Sequence, residues 1–118
     1  MSVLSNLILG TAQFGTNYGI ANSTGLVSND ELKSILKLAL AHGVDMLDTA
    51  IVYGDAESRI GELGVSDFKI VTKIPALPSA ICDVYTWLLE HIRASLLRLR
   101  VPRLYGLLLH HHNPSDDC

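Results

Sequence analysis

The chain has 118 residues, 48% hydrophobic and 18% charged, with a net charge of −3, the composition of one globular domain and not of a disordered or collagen-like chain. Its one loose basic group, Arg93, Arg98, Arg100 and Arg103, reads as a solvated helix face, which leaves no electrostatic footprint for nucleic acid. No uninterrupted apolar run approaches bilayer length.

The N-terminal segment, MSVLSNLILG, lacks a basic n-region, and its apolar stretch is too short and broken for a signal peptide. Cys82 and Cys118 offer neither a disulfide framework nor metal-ligand spacing. The expectation is a soluble cytoplasmic chain that binds neither nucleic acid nor membrane.

The first apolar run, Leu7 to Leu9, ends in Gly10, Thr11, Ala12 and a glycine-bearing stretch, FGTNYG. This predicts a short strand and then a loop. SNDELKSILKLALAHG predicts a helix. Ser28 as N-cap with Glu31 three residues on makes a capping box, and Leu32, Ile35, Leu36, Ala39 and Leu40 share one face. His42 stands where a helix C-terminus favours positive charge, and Gly43 supplies the left-handed stop.

VDMLDTA predicts a buried strand, IVYGD a loop, AESRIGELG a short helical turn and DFKIVTKIP a strand stopped by Pro75. From Ala80 to Arg100, Ile81, Tyr85, Leu88, Leu89, Ile92, Leu96 and Leu99 form the apolar stripe of a second long helix. Pro102 ends it, and LYGLLLHHH predicts a fourth strand.

Strands alternating with helices in segments of these lengths imply α/β class with parallel strands. Runs such as GLLL and KIVTKI, apolar at nearly every position, predict burial on both faces. A doubly wound dinucleotide-binding sheet calls for Gly-x-Gly-x-x-Gly between the first strand and helix, whereas GTAQFGTNYG spaces its glycines differently. A (β/α)8 TIM-barrel type, with the chain supplying about the first four βα units, fits better.

Barrel active sites gather at the C-terminal ends of several strands. Here the second strand ends at Asp48 and its loop carries Tyr53, the third ends at Thr72 and Lys73, and the fourth at His110. Each has an ordinary structural reading: Asp48 as a turn cap, Tyr53 as a rim aromatic, Lys73 snorkelling into water, His110 as a core histidine. Together they suit one chemistry. A phenol of pKa about 10 is a poor acid at neutral pH, and an adjacent ammonium favours its phenolate. A carbonyl oxygen given a proton by Tyr53 and a hydrogen bond by His110 becomes electrophilic enough to accept hydride from a cofactor.

The ordered set GTAQFG, DTAIVYG, ESRIGELG, the Thr72–Lys73 pair and LLLH ending at His110 resembles the aldo-keto reductase superfamily, over about Leu7 to Pro114. The resemblance implies NADPH-dependent reduction of an aldehyde or ketone, NADH not being excluded. Tyr53 is then the general acid, Lys73 its tuning partner and Asp48 the partner of Lys73, while His110 orients the carbonyl. Gly10, Thr11 and Asp48 lie near the nicotinamide, and Tyr53 and His110 meet the substrate.

A (β/α)8 domain runs to about 250 residues, so the expectation is the N-terminal half of the barrel domain over residues 1–118, with weak or no turnover alone. Two unpaired sheet edges predict self-association. The alternative function is a non-catalytic truncated barrel serving as an interaction or regulatory module. The run of three histidines in HHHNPSDDC also raises a metal site, with His110 and His112 on one strand face. No further ligand set accompanies them, and the expectation is no metal.

Overall fold

The computed structural model describes residues 7–15 and 27–109. Along them run β1 (Leu9–Gly10), α1 (Ala12–Gly15), α2 (Asn29–Ala41), β2 (Met46–Asp48), α3 (Ala56–Leu63), β3 (Lys69–Lys73), α4 (Val84–Leu99) and β4 (Gly106–Leu108). The strands form one sheet in the order β1-β2-β3-β4, each neighbouring pair parallel. A doubly wound sheet reverses its strand order part-way; this sheet adds each strand on the same side, as a barrel does. Among the described residues, no helix is long and apolar enough to cross a membrane.

The caps follow the sequence. Ser28 Oγ accepts from Glu31 N at 3.2 Å, and Gly43 takes a φ of 84° just past α2. Helix α4 starts at Val84, later than its apolar stripe suggests. Asp83 caps it, accepting from Thr86 Oγ1 at 2.7 Å and Thr86 N at 3.0 Å. These bonds, that from the hydroxyl foremost, hold the Asp83 carboxyl below its usual 3.8. The four-residue α1 replaces part of the predicted loop because Phe14 N closes a turn onto Thr11 O and buries its ring.

The core, including Leu32, Leu36, Leu47, Ile60, Ile70 and Leu99, lies between the sheet and its helices. The expectation of strands buried on both faces does not hold. In β3, Ile70 and Thr72 are buried while Lys69, Val71 and Lys73 are only half-buried. Side chains alternate across a strand, and only one face of this sheet has helices packed on it among the described residues. Two positions also depart from the predicted amphipathic stripes: Tyr85 and Ile35 are exposed. Cys82 is disulfide-bonded, although the spacing of the two cysteines predicts no disulfide framework.

Helices α3 and α4 cross at backbone distance. A Cβ at Gly61 would stand 2.0 Å from the Arg98 carbonyl oxygen. Alanine is intrinsically about 1 kcal/mol better than glycine inside a helix, yet Gly61→Ala is expected to destabilise the chain by about 1–3 kcal/mol through overpacking. A lower urea midpoint with unchanged slope is the outcome that supports this, and a raised midpoint contradicts it.

Candidate active site

Strand register brings two charged side chains together at one end of the sheet. Asp48 pairs with Val71, and Lys73, two residues further along β3, projects from the same face. Lys73 Nζ donates to Asp48 Oδ1 at 2.6 Å and to the Thr49 carbonyl at 3.0 Å. The two side chains are 24% and 38% exposed, so the pair sits at the rim of the sheet's open face. The cost of placing an ammonium at the end of an apolar strand is thereby offset.

Tyr53 comes from the loop after β2. Its amide donates to the Ala50 carbonyl at 3.2 Å, and its own carbonyl accepts from Ala56 N at 3.1 Å, which starts α3. A Cβ on Gly15 would lie 2.0 Å from the Tyr53 carbonyl oxygen, so α1 presses on this turn through a residue that must lack a side chain. The ring that results stands over Lys73, with Nζ 5.0 Å from its centroid. An ammonium against an aromatic face at this distance is attracted by the ring quadrupole.

Beside the trio lies a cleft of about 380 Å³ whose lining includes Gly10, Thr11, Gln13, Phe14, Asp48 and Tyr53. A Cβ at Gly10 would meet nothing within 4 Å, leaving open space over the end of β1. Thr11 is fully buried, and both its amide and its hydroxyl donate to the Asp48 carbonyl at 2.9 Å. Its hydroxyl is committed to holding Asp48 in place.

The structure thus brings together Gly10, Thr11, Asp48, Tyr53 and Lys73 of the residues singled out from the sequence. His110 and His112 lie outside the described residues, and with them the metal reading. Among the described residues, no three His, Cys, Asp or Glu side chains gather as a metal site requires.

A second polar cluster was not foreseen. Glu57 on α3 is only 3% exposed. Its Oε2 accepts from Thr72 Oγ1 at 2.7 Å, and its Oε1 from Ser95 Oγ at 3.1 Å and Arg98 Nε at 2.8 Å. Arg98, expected on a solvated face, is instead the ion-pair partner of a buried carboxylate, with Nη2 to Oε1 at 2.7 Å. The signal available in the sequence was an acidic residue four positions before Gly61, on the face that meets α4. Arg59, also in the ESRIGELG motif, donates to the Phe14 and Val27 carbonyls and to Asn29 Oδ1.

Near the site, Thr49 Oγ1 is buried with no hydrogen-bond partner among the described residues. An unpaired buried hydroxyl costs about 1–3 kcal/mol. Thr49→Val, of the same shape, is therefore expected to raise the unfolding free energy by about 1 kcal/mol or more. A thermal midpoint lowered by this change would mean that the hydroxyl has a partner.

The sequence profile of the aldo/keto reductase family matches residues 6–118. The chain belongs to that family. A protein of Pseudomonas aeruginosa assigned to the aldo-keto reductases superposes with a TM-score of 0.74 at 26% identity, covering 93% of this chain and 46% of that one. An aldo-keto reductase of Bacillus halodurans in its holo form gives 0.66 at 20% identity, covering 93% and 37%. One from Klebsiella pneumoniae in complex with NADPH gives 0.65 at 23% identity, covering 90% and 35%. No curated protein matches the sequence.

The chain spans less than half the length of each of these solved relatives. Its four parallel strands and intervening helices correspond to the start of an aldo-keto reductase (β/α)8 barrel. The half-buried strand face of this sheet corresponds to the face that lines the barrel in such a fold, and Asp48 and Lys73 stand at its rim.

Proposed function

We propose that this aldo-keto reductase chain carries the proton-donating machinery of an NADPH-dependent oxidoreductase that reduces an aldehyde or ketone to an alcohol. The observation that carries the proposal is the Asp48–Lys73–Tyr53 contact at the C-terminal ends of β2 and β3, where barrels place catalytic groups. The Tyr53 hydroxyl donates the proton to the carbonyl oxygen. The Lys73 ammonium beside the ring supports the charge left on the phenol. Asp48 and the Thr49 carbonyl hold Lys73 at that spot. The carbonyl-orienting role goes to His110, which lies outside the described residues, on the family resemblance of the LLLH motif alone.

The cleft suits the nicotinamide end of the cofactor: Gly10 leaves room for a flat ring, and Thr11 fixes the Asp48 backbone beside it. NADPH supplies the hydride when bound. The role of NADPH, with NADH as the alternative donor, rests on family membership and on the Klebsiella complex. This chain's part is to orient the carbonyl and hold the proton at the Tyr53 oxygen.

Alone, the chain is expected to turn over weakly or not at all. Among the described residues β1 and β4 are the outer strands of the sheet, with Leu7, Ile8, Leu108 and Leu109 exposed in or beside them, and such edges seek partners. Sedimentation velocity is expected to show association that grows with concentration; a monomer at every concentration would contradict this.

Fluorescence titration of the purified chain with NADPH, with a full-length relative as control, tests the function. Saturable binding followed by carbonyl-dependent oxidation of NADPH supports it. A folded chain that binds no NADPH while the relative does would leave the fold in service of a non-catalytic interaction module.

A further inference from the structure

We infer that Glu57 is a positioning residue, which sets the Tyr53–Lys73 geometry by tying the loop that carries Tyr53 to the strand that carries Lys73. The inference rests on the proposed roles of Tyr53 and Lys73. Its geometry stands independently of them.

Tyr53 and Glu57 belong to one short run of backbone. Tyr53 O accepts from Ala56 N, α3 begins at Ala56, and Glu57 is its second residue. A shift of the α3 N-terminus therefore moves Tyr53 with it. What fixes that terminus is the Glu57 carboxylate, nearly excluded from water and using both oxygens. Oε2 takes the Thr72 hydroxyl at 2.7 Å; Oε1 takes Ser95 Oγ at 3.1 Å and Arg98 Nε at 2.8 Å.

Thr72 immediately precedes Lys73 on β3. Strand alternation points Thr72 to the helix side and Lys73 to the open side. One strand thus presents a lysine to Asp48 and Tyr53 and, through the adjacent residue, anchors the helix that follows Tyr53. Gly61, one helical turn beyond Glu57, lets α3 approach the α4 backbone closely enough for these bonds to form.

A charge-assisted, buried network is stiff because opening any member strands a charge or a hydroxyl away from water. An apolar contact at the same place would hold α3 against the sheet but would tolerate sliding. Glu57 has no place on the open face and no contact with the cleft, so it touches neither cofactor nor substrate.

The test reads the geometry directly. Lys73 Nζ lies over the Tyr53 ring, so the ring current is expected to shift the Lys73 ε-methylene protons upfield in the NMR spectrum of the full chain. In Thr72→Val and Glu57→Gln that shift is expected to be mostly lost, and Thr72→Ser, which keeps the hydroxyl, restores it. A purely structural tie would lower the unfolding midpoint and leave the shift of the native chain unchanged; a native shift in either folded variant overturns the inference. Amide exchange of the unaltered chain is a measurement free of substitutions. Ala56, Thr72 and Ser95 amides are expected to open as one unit, and separate opening of α3 from β3 and α4 overturns the inference as well. Tyr53→Phe keeps the ring and its shift while removing the proton donor, so loss of reductase activity alone tests the proposed function and leaves the positioning role standing.

Discussion

Tyr53→Phe is expected to reduce carbonyl turnover by about 10²–10⁴-fold, the range associated with a positioned general acid, while leaving NADPH affinity nearly unchanged. The substitution removes one oxygen and keeps the ring. The ring is what faces Lys73 Nζ at 5.0 Å, and the backbone of residue 53 is what meets Ala50, Ala56 and Gly15. The local fold has no reason to change, and the loss therefore reports chemistry. It is measured in the assembly that shows turnover, by following NADPH absorbance with saturating carbonyl. A loss confined to KM would assign the hydroxyl to substrate binding, and an unchanged rate would remove Tyr53 from the reaction.

Lys73→Met separates two functions of the lysine that Tyr53→Phe does not touch. Its Nζ both balances Asp48 and stands against the phenol. The Asp48 side chain is more than a third exposed, so water takes over much of its solvation when the ammonium is removed. An effect on rate larger than any effect on stability is thus the signature of a lysine placed for Tyr53.

The fold was legible because βα alternation leaves three independent traces in a sequence. Ser28 before the first long helix and Gly43 after it behave as caps require. The apolar runs around Leu47 and Ile70 become strands, and the polar residue ending each run lands at the rim. What was not legible depends on contacts between segments distant in the chain. The apolar character of KIVTKI suggested two covered faces, but a half-buried Val71 follows from which side the helices take. The same holds for Arg98. On α4 alone it looks like one cation in a basic group, and only the close crossing at Gly61 brings it to Glu57, 41 residues away.

The site shows the same division. Asp48 and Lys73 could be paired from the sequence, since a buried lysine at a strand end calls for a carboxylate on the adjacent strand. That Thr11 spends both its donors on the Asp48 carbonyl has no sequence signal, because a threonine beside a glycine after a strand is equally suited to meet a ligand. The Glu57 cluster had only the indirect signal of an acidic residue on a helix face destined for burial.

That cluster supplies the other large effect. Arg98→Met is expected to lower the unfolding free energy by about 3 kcal/mol, the lower end of what is lost when one partner of a buried ion pair is removed. An exposed pair would give about 0–1 kcal/mol, and what decides between the two is the 3% exposure of the Glu57 side chain. Arg98 itself is 36% exposed, which places the estimate at the low end. The Glu57 carboxylate left behind keeps Thr72 and Ser95 as donors, but no positive charge. The effect is expected to weaken only in part in high salt, since the Glu57 end of the pair is closed to solvent while Arg98 is partly exposed to screening ions. Adding Glu57→Gln to Arg98→Met should recover a large part of the loss by removing the stranded charge. Urea unfolding of both variants checks this: a single-variant loss below about 1 kcal/mol, or a double variant no more stable than Arg98→Met alone, would mean that the buried charge is not what Arg98 balances.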